Sequence, residues 1–102
     1  MKQLTKFQRD LMLVISAEDG QKGLGLKEEL QKYYDGDIHH GRLYPNLDKL
    51  VELGYVEKGK IDDRSNSYTL TEAGHDAIEE RQEWVNRMIA GDIEPDIMSE
   101  VE

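Results

Sequence analysis

The sequence predicts a mainly α fold carrying one small β-hairpin, an α+β chain ordered as three helices, a hairpin and a long helix. Three observations lead there. Apolar residues recur at helical spacing in three stretches of the first half. Two short alternating segments near residues 55–71 are separated by the polar run Asp62-Asp63-Arg64-Ser65-Asn66. A final stretch after Thr71 holds a long apolar stripe closed by Gly91 and Pro95.

The first helix starts at Thr5, because Thr5-Lys6-Phe7-Gln8 fits a capping box in which Gln8 reaches back to the cap. Leu4, Phe7, Leu11, Val14 and Ile15 form its stripe, and it ends before Asp19-Gly20. The second runs from residue 23 or 24 to 34, with Leu26, Leu30, Tyr33 and Tyr34 on its apolar side and Asp35-Gly36-Asp37 as the following turn. The third begins within residues 39–41 and ends before Gly54, burying Leu43, Leu47, Leu50 and Val51. Pro45 belongs near a helix start, which fixes that beginning just upstream. Its opposite face carries His40, Arg42, Tyr44, Asn46, Lys49 and Glu52. The strands are expected at residues 55–61 and 67–71. Thr71 caps the fourth helix, with Glu72 favourably placed against its dipole. Two short helices joined by a tight turn, crossed by a first helix and followed by a hairpin, make a winged helix-turn-helix. Residues 1–71 form that domain, 72–91 the C-terminal helix, and 92–102 an acidic tail expected to be flexible.

Composition excludes several classes. One domain is what 102 residues allow. No cysteine is present, which removes disulfides, thiolate metal sites and cysteine nucleophiles. No apolar run reaches the roughly 18–20 residues of a membrane span, and the first residues lack the apolar core of a secretory signal, so a soluble, cytoplasmic protein is expected. His39 and His40 are adjacent rather than one helical turn apart and His75 is distant, so no metal site or other cofactor is expected. Asp35-Gly36-Asp37 lacks the further ligands of a calcium loop, and Gly23-Leu24-Gly25 does not follow a strand, as a nucleotide loop would. Nothing forms a nucleophile–base pair, and no enzyme is expected.

Acids outnumber bases 22 to 13, a net charge of −9. Nucleic-acid binders are normally basic. The charge is unevenly placed, however: residues 1–71 hold 11 bases and 12 acids, and residues 72–102 hold two bases against ten acids. The winged half is almost neutral, so the acidity does not exclude DNA.

The run His40-Gly41-Arg42-Leu43-Tyr44-Pro45-Asn46-Leu47-Asp48-Lys49-Leu50, continuing through Gly54-Tyr55-Val56, resembles the recognition helix of the PadR family of transcription regulators. Its mark is Gly-x-Leu-Tyr-Pro-x-Leu-x-x-Leu. Further on, Arg64-Ser65-Asn66-Ser67-Tyr68-Thr69-Leu70-Thr71-Glu72-Ala73-Gly74 resembles the family's wing, and is also similar to wings of MarR-type regulators. The resemblance covers roughly residues 4–85 and implies a regulator, here a repressor, that binds double-stranded operator DNA. By likeness to MarR-type wings, Asp63 would brace Arg64.

Residue chemistry agrees. A recognition helix needs one buried stripe and a polar face that enters the major groove near its N-terminus. Arg42 can bond guanine bidentately and Asn46 can pair with adenine. Tyr44 either donates its hydroxyl to phosphate or packs between helix and wing. His39 and His40 sit at the helix start, which favours phosphate, and Lys49 extends the face. In the wing, Lys58, Lys60, Arg64 and Asn66 can reach the backbone or minor groove. A winged-helix protein-interaction module that never touches DNA is the alternative; it would not need Arg42, Asn46 and Lys49 together with Arg64.

The stripe of the fourth helix is longer than a small winged domain can cover. The resemblance implies a homodimer through Ile78, Arg81, Trp84, Val85, Met88 and Ile89, with help from Leu4, Phe7 and Leu11 of the first helix. It implies a palindromic operator with half-sites about 34–36 Å apart, and leaves room for a small-molecule effector of unknown kind. The alternative is that this stripe folds back on the first helix. The excess of acids is similar to that of PadR-like regulators of halophilic archaea and suits a salt-rich cytoplasm.

Overall fold

A computed structural model describes residues 4–18 and 20–92. Helix α1 spans Lys6–Ala17, strand β1 Gln21–Lys22, helix α2 Gly23–Gln31, helix α3 His40–Glu52, strand β2 Val56–Lys60, strand β3 Asn66–Leu70 and helix α4 Glu72–Ala90. The three strands form one antiparallel sheet in the order β1-β3-β2, with Val56 opposite Leu70 and Gln21 opposite Tyr68. The expected winged helix-turn-helix architecture is present, and the sheet has one strand more than the expected hairpin.

Local chemistry sets the helix ends. Thr5 caps α1: its Oγ1 accepts from Gln8 N at 3.1 Å, while Gln8 Oε1 accepts from Thr5 N at 3.0 Å. α3 closes with Gly54 at φ +85°, where Tyr55 N donates to Leu50 O and Gly54 N to Val51 O. Thr71 caps α4 by accepting from Gly74 N at 3.1 Å, and its hydroxyl donates to Gly54 O at 2.6 Å. One threonine thus ties the end of α3 to the start of α4. Gly74 cannot carry a side chain, since a Cβ there would run into the carbonyl oxygen of Tyr55. That carbonyl already accepts from Thr71 N.

Leu11, Met12, Ile15, Leu26, Leu30, Ile38, Leu43, Leu47 and Leu50 are fully buried where α1, α2 and α3 meet. Burying each contributes about 1.5–3 kcal/mol relative to exposure. Val56, Tyr68 and Leu70 close the core from the sheet.

Two expectations need correction here. α2 ends at Gln31 rather than near residue 34, and Tyr33 is 76% exposed instead of lining the apolar face. The Gln31 side chain is the reason: its Nε2 donates to Gly36 O at 2.6 Å and its Oε1 accepts from Ile38 N at 2.9 Å, so it organises the turn into α3. Tyr34 instead meets Phe7 edge to face at 5.8 Å, and its hydroxyl donates to Asp10 Oδ2 at 2.6 Å. Leu4, Phe7 and Leu11, expected between subunits, lie in the chain's own core at 5%, 4% and 0% exposure. The α1 stripe is used up against α2, α3 and the sheet, and the outward apolar residue of this helix is Leu13.

α4 is covered only near its start, where Gly74 and Ala77 are buried. From Gln82 onward only Val85 is half-buried, and Trp84, Met88 and Ile89 are exposed. Gly91 at φ +73° ends it in the left-handed conformation, with Asp92 N donating to Arg87 O. Pro95 and most of the acidic tail, residues 93–102, lie outside the described residues. Among the described residues no helix is long and apolar enough to cross a membrane.

Candidate nucleic-acid interface

With Leu43, Leu47 and Leu50 facing the core, the centre of the outward side of α3 is Gly41, Pro45 and Glu52. Its middle therefore lacks long side chains near the N-terminus. Reach comes from two flanks. His40, Tyr44 and Asp48 line the flank toward the wing, and Arg42, Asn46 and Lys49 line the flank toward α1.

On the wing flank, Tyr44 is half-buried, packed where a Cβ on Gly23 would approach its ring to 2.7 Å. Gly23 starts α2, so the ring sits between two helices of the motif. His40 stands edge-on to it at 5.9 Å. His39 is the N-cap of α3; it makes no side-chain cap bond and is exposed. Asp48 lies 3.7 Å from Lys58 Nζ of β2.

On the α1 flank, the Arg42 guanidinium stacks over the Phe7 ring at 4.0 Å while the residue remains exposed. Asn46 is tied into the chain at both amide ends. Its Oδ1 accepts from Gln8 Nε2 at 2.9 Å and its Nδ2 donates to Arg42 O at 2.7 Å. These bonds fix the amide and leave one N–H and one lone pair outside them. Lys49 is exposed, 3.7 Å from Glu52.

In the wing, Asp62 Oδ1 accepts from Arg64 N at 2.8 Å and makes a tight tip between β2 and β3. That backbone bond, foremost, holds the Asp62 carboxyl below its ordinary pKa. Asp63 was expected to brace Arg64. It instead faces Lys60, at 3.6 Å, and the bracing carboxylate is that of Asp62, acting on the backbone. The bend over residues 61–64 brings Asp63 back beside Lys60.

The net result is a partly self-neutralised surface. Lys49, Lys58 and Lys60 each have a carboxylate close by, whereas among the described residues Arg42, Arg64 and Lys22 are in no ion pair. Lys22 escaped the sequence reading because β1 did. It is the last residue of β1 and the N-cap of α2, and with Arg64, Asn66 and Tyr44 it lines a cleft of about 200 Å³ between wing and helices. No local pattern marks a two-residue strand; only its pairing with β3 does. Among the described residues no three His, Asp or Glu side chains are placed to hold a metal ion.

A second cleft, of about 270 Å³, separates α1 from α4. Lys6, Arg9 and Arg81 bring cations to it, Asp10 a carboxylate, and Leu13, Ile78 and Val85 apolar walls. Arg81 also lies 4.9 Å over the Trp84 ring.

Comparison with known proteins places this geometry. The chain is 41% identical to RosR of Halobacterium salinarum in crystals grown from NaBr, over 98% of this chain and 90% of that one, with a TM-score of 0.83. A complex structure of the same protein, RosR-S1, matches at 44% identity over 89% of this chain and 80% of that one, again with a TM-score of 0.83. The winged-helix DNA-binding protein F93 from STIV shares the fold at 22% identity and a TM-score of 0.69, over 85% of this chain and 96% of that one. No curated protein matches. The family model described as the transcriptional regulator PadR-like family matches residues 11–80, which contain the recognition helix, the wing and the Thr71–Gly74 cap. The chain belongs to the PadR-like family of transcriptional regulators, which are not enzymes.

Proposed function

We propose that this chain is a cytoplasmic, sequence-specific repressor that binds a palindromic operator as a homodimer. The observation that carries the DNA contact is the placement of three cations that, among the described residues, are within no salt bridge. Arg42 stands near the start of α3, Arg64 at the wing tip, and Lys22 lines the cleft beside Arg64. They span a surface whose other bases are matched by acids. Arg42 supplies the base contact, its guanidinium edge free beyond the stacked face. Arg64 and Lys22 take phosphates, as do His39 and His40 at the helix start. The likeness to RosR of Halobacterium salinarum supports this reading.

The exposed Trp84, Met88 and Ile89, with half-buried Val85 among them, support a two-fold partner made of a second copy. The basic, partly apolar cleft between α1 and α4 suits a small anionic effector. The acid pairing of the reading surface fits a salt-rich cytoplasm, since a surface with few free cations releases few counterions.

The test is a binding titration on the duplex upstream of the chain's own coding sequence. Arg42→Ala and Arg64→Ala each weaken binding at least tenfold if the assignment holds, a loss in line with about 1–3 kcal/mol per base or charge contact. Binding unchanged by both would leave a protein-interaction module, the reading favoured by the three ion pairs on the same surface.

A further inference from the structure

Beside the shared apolar core, two consecutive residues of α1, Phe7 and Gln8, engage the flank of the recognition helix that carries Arg42 and Asn46. The guanidinium of Arg42 lies 4.0 Å from the centroid of the Phe7 ring and 5.8 Å from that of Tyr34. Phe7 and Tyr34 themselves stand edge to face. The arginine is exposed, yet a rigid two-ring wall sits beneath it. Stacking fixes the plane of a guanidinium and leaves its N–H edge for a base or phosphate.

Among the described residues Gln8 is the one buried amide or charged side chain, at 8% exposure. A buried amide is costly unless both its ends are bonded, and here both are. Its Oε1 serves the capping box through Thr5 N, and its Nε2 crosses to Asn46 Oδ1. Asn46 Nδ2 then donates to the carbonyl oxygen of Arg42. The cap alone would accept a glutamate equally well, and the helix dipole would favour it. A carboxylate has no proton to give Asn46. The amide at this position is explained by α3, not by α1.

We propose that Phe7 and Gln8 are positioning residues for sequence readout: one holds the Arg42 guanidinium and the other the backbone that carries it. This rests on Arg42 meeting the duplex, as assigned above. Neither residue need touch DNA.

The experiment compares Phe7→Leu, which removes the ring face, and Gln8→Glu, which keeps the cap acceptor and removes the donor. Full-length variants are titrated by fluorescence anisotropy against a duplex selected by the wild-type chain from a randomised pool, and against a scrambled duplex. Circular dichroism melts verify folding, and Phe7→Tyr, which keeps a ring, retains wild-type discrimination. Each of the other two lowers the selected-to-scrambled affinity ratio roughly threefold to fivefold. That loss vanishes when either is combined with Arg42→Ala. A loss of the same size in the Arg42→Ala background, or no loss where Arg42→Ala alone is damaging, overturns the positioning role while leaving Arg42 a DNA contact. Indifference of binding to Arg42→Ala overturns both assignments together.

Discussion

Lys58 Nζ on β2 lies 3.7 Å from Asp48 Oδ1 on α3, so the wing and the recognition helix meet through an ion pair on the surface assigned to DNA. Both groups are substantially exposed, and such pairs are worth about 0–1 kcal/mol to the fold. Their larger effect is on charge. Asp48→Asn releases Lys58 toward phosphate and removes a repulsive carboxylate. Operator affinity at low salt rises severalfold, and the slope of log affinity against log salt steepens by about one. Titrations across a potassium chloride series check this; an unchanged slope would place Lys58 away from the duplex.

Gly74→Ala destabilises the fold by about 3 kcal/mol, because the added methyl meets the Tyr55 carbonyl and the start of α4 must shift. Thr71→Ala costs about 1–2 kcal/mol through the lost cap, and more as Gly54 O loses its hydroxyl partner. Urea unfolding of the two variants measures both. Because these changes act around the same Tyr55–Thr71 junction, their effects are less than additive in the double variant.

Alkaline pH loosens the contact between α1 and the turn after α2. Burial, foremost, and the hydrogen bond to Asp10 raise the Tyr34 pKa above 10.0, and burial raises that of Tyr68. A phenol with a raised folded-state pKa stabilises the fold fully below the unfolded value, and that contribution is lost as pH rises through the folded one. Stability therefore declines above about pH 10. Tyr34→Phe flattens that decline while lowering stability at neutral pH, where the 2.6 Å bond to Asp10 is missing. Thermal melts from pH 8 to 11 test it; an identical alkaline slope in the variant would exclude Tyr34 as a source.

Trp84→Glu together with Met88→Glu leaves the winged domain folded and abolishes the proposed self-association, since both side chains project from the uncovered half of α4. Analytical ultracentrifugation reports the mass, and circular dichroism reports the retained helix content. If the wild-type chain sediments as a monomer at micromolar concentration, the second copy is not what covers this stripe.

The parts of the fold that are written locally were legible in the sequence. The capping residues Thr5 and Thr71, the glycine that ends α3 and the Leu43–Leu47–Leu50 stripe each depend on neighbours within a few positions. What was missed depends on partners far along the chain. β1 exists because β3 lies beside it. Asn46 looks like a base reader on any helical projection, and its bond to Gln8, 38 residues earlier, leaves no local signal. The stripe of α1 announces burial but not the partner, and so Leu4, Phe7 and Leu11 were placed between subunits when α2, α3 and the sheet already hold them. Of the interface, the arginines were visible as residue types; that the lysines beside them carry their own counter-charges was not.

Lys22 both ends β1 and caps α2, and β1 is paired to the central strand of the wing. The hairpin is therefore no free antenna. It is bolted to the helix-turn-helix at one side through Lys22 and at the other through Thr71 and Gly54. The two jaws that would grip DNA form a calliper with a fixed opening. A duplex whose grooves are spaced otherwise must bend to fit or be refused before any base edge is inspected.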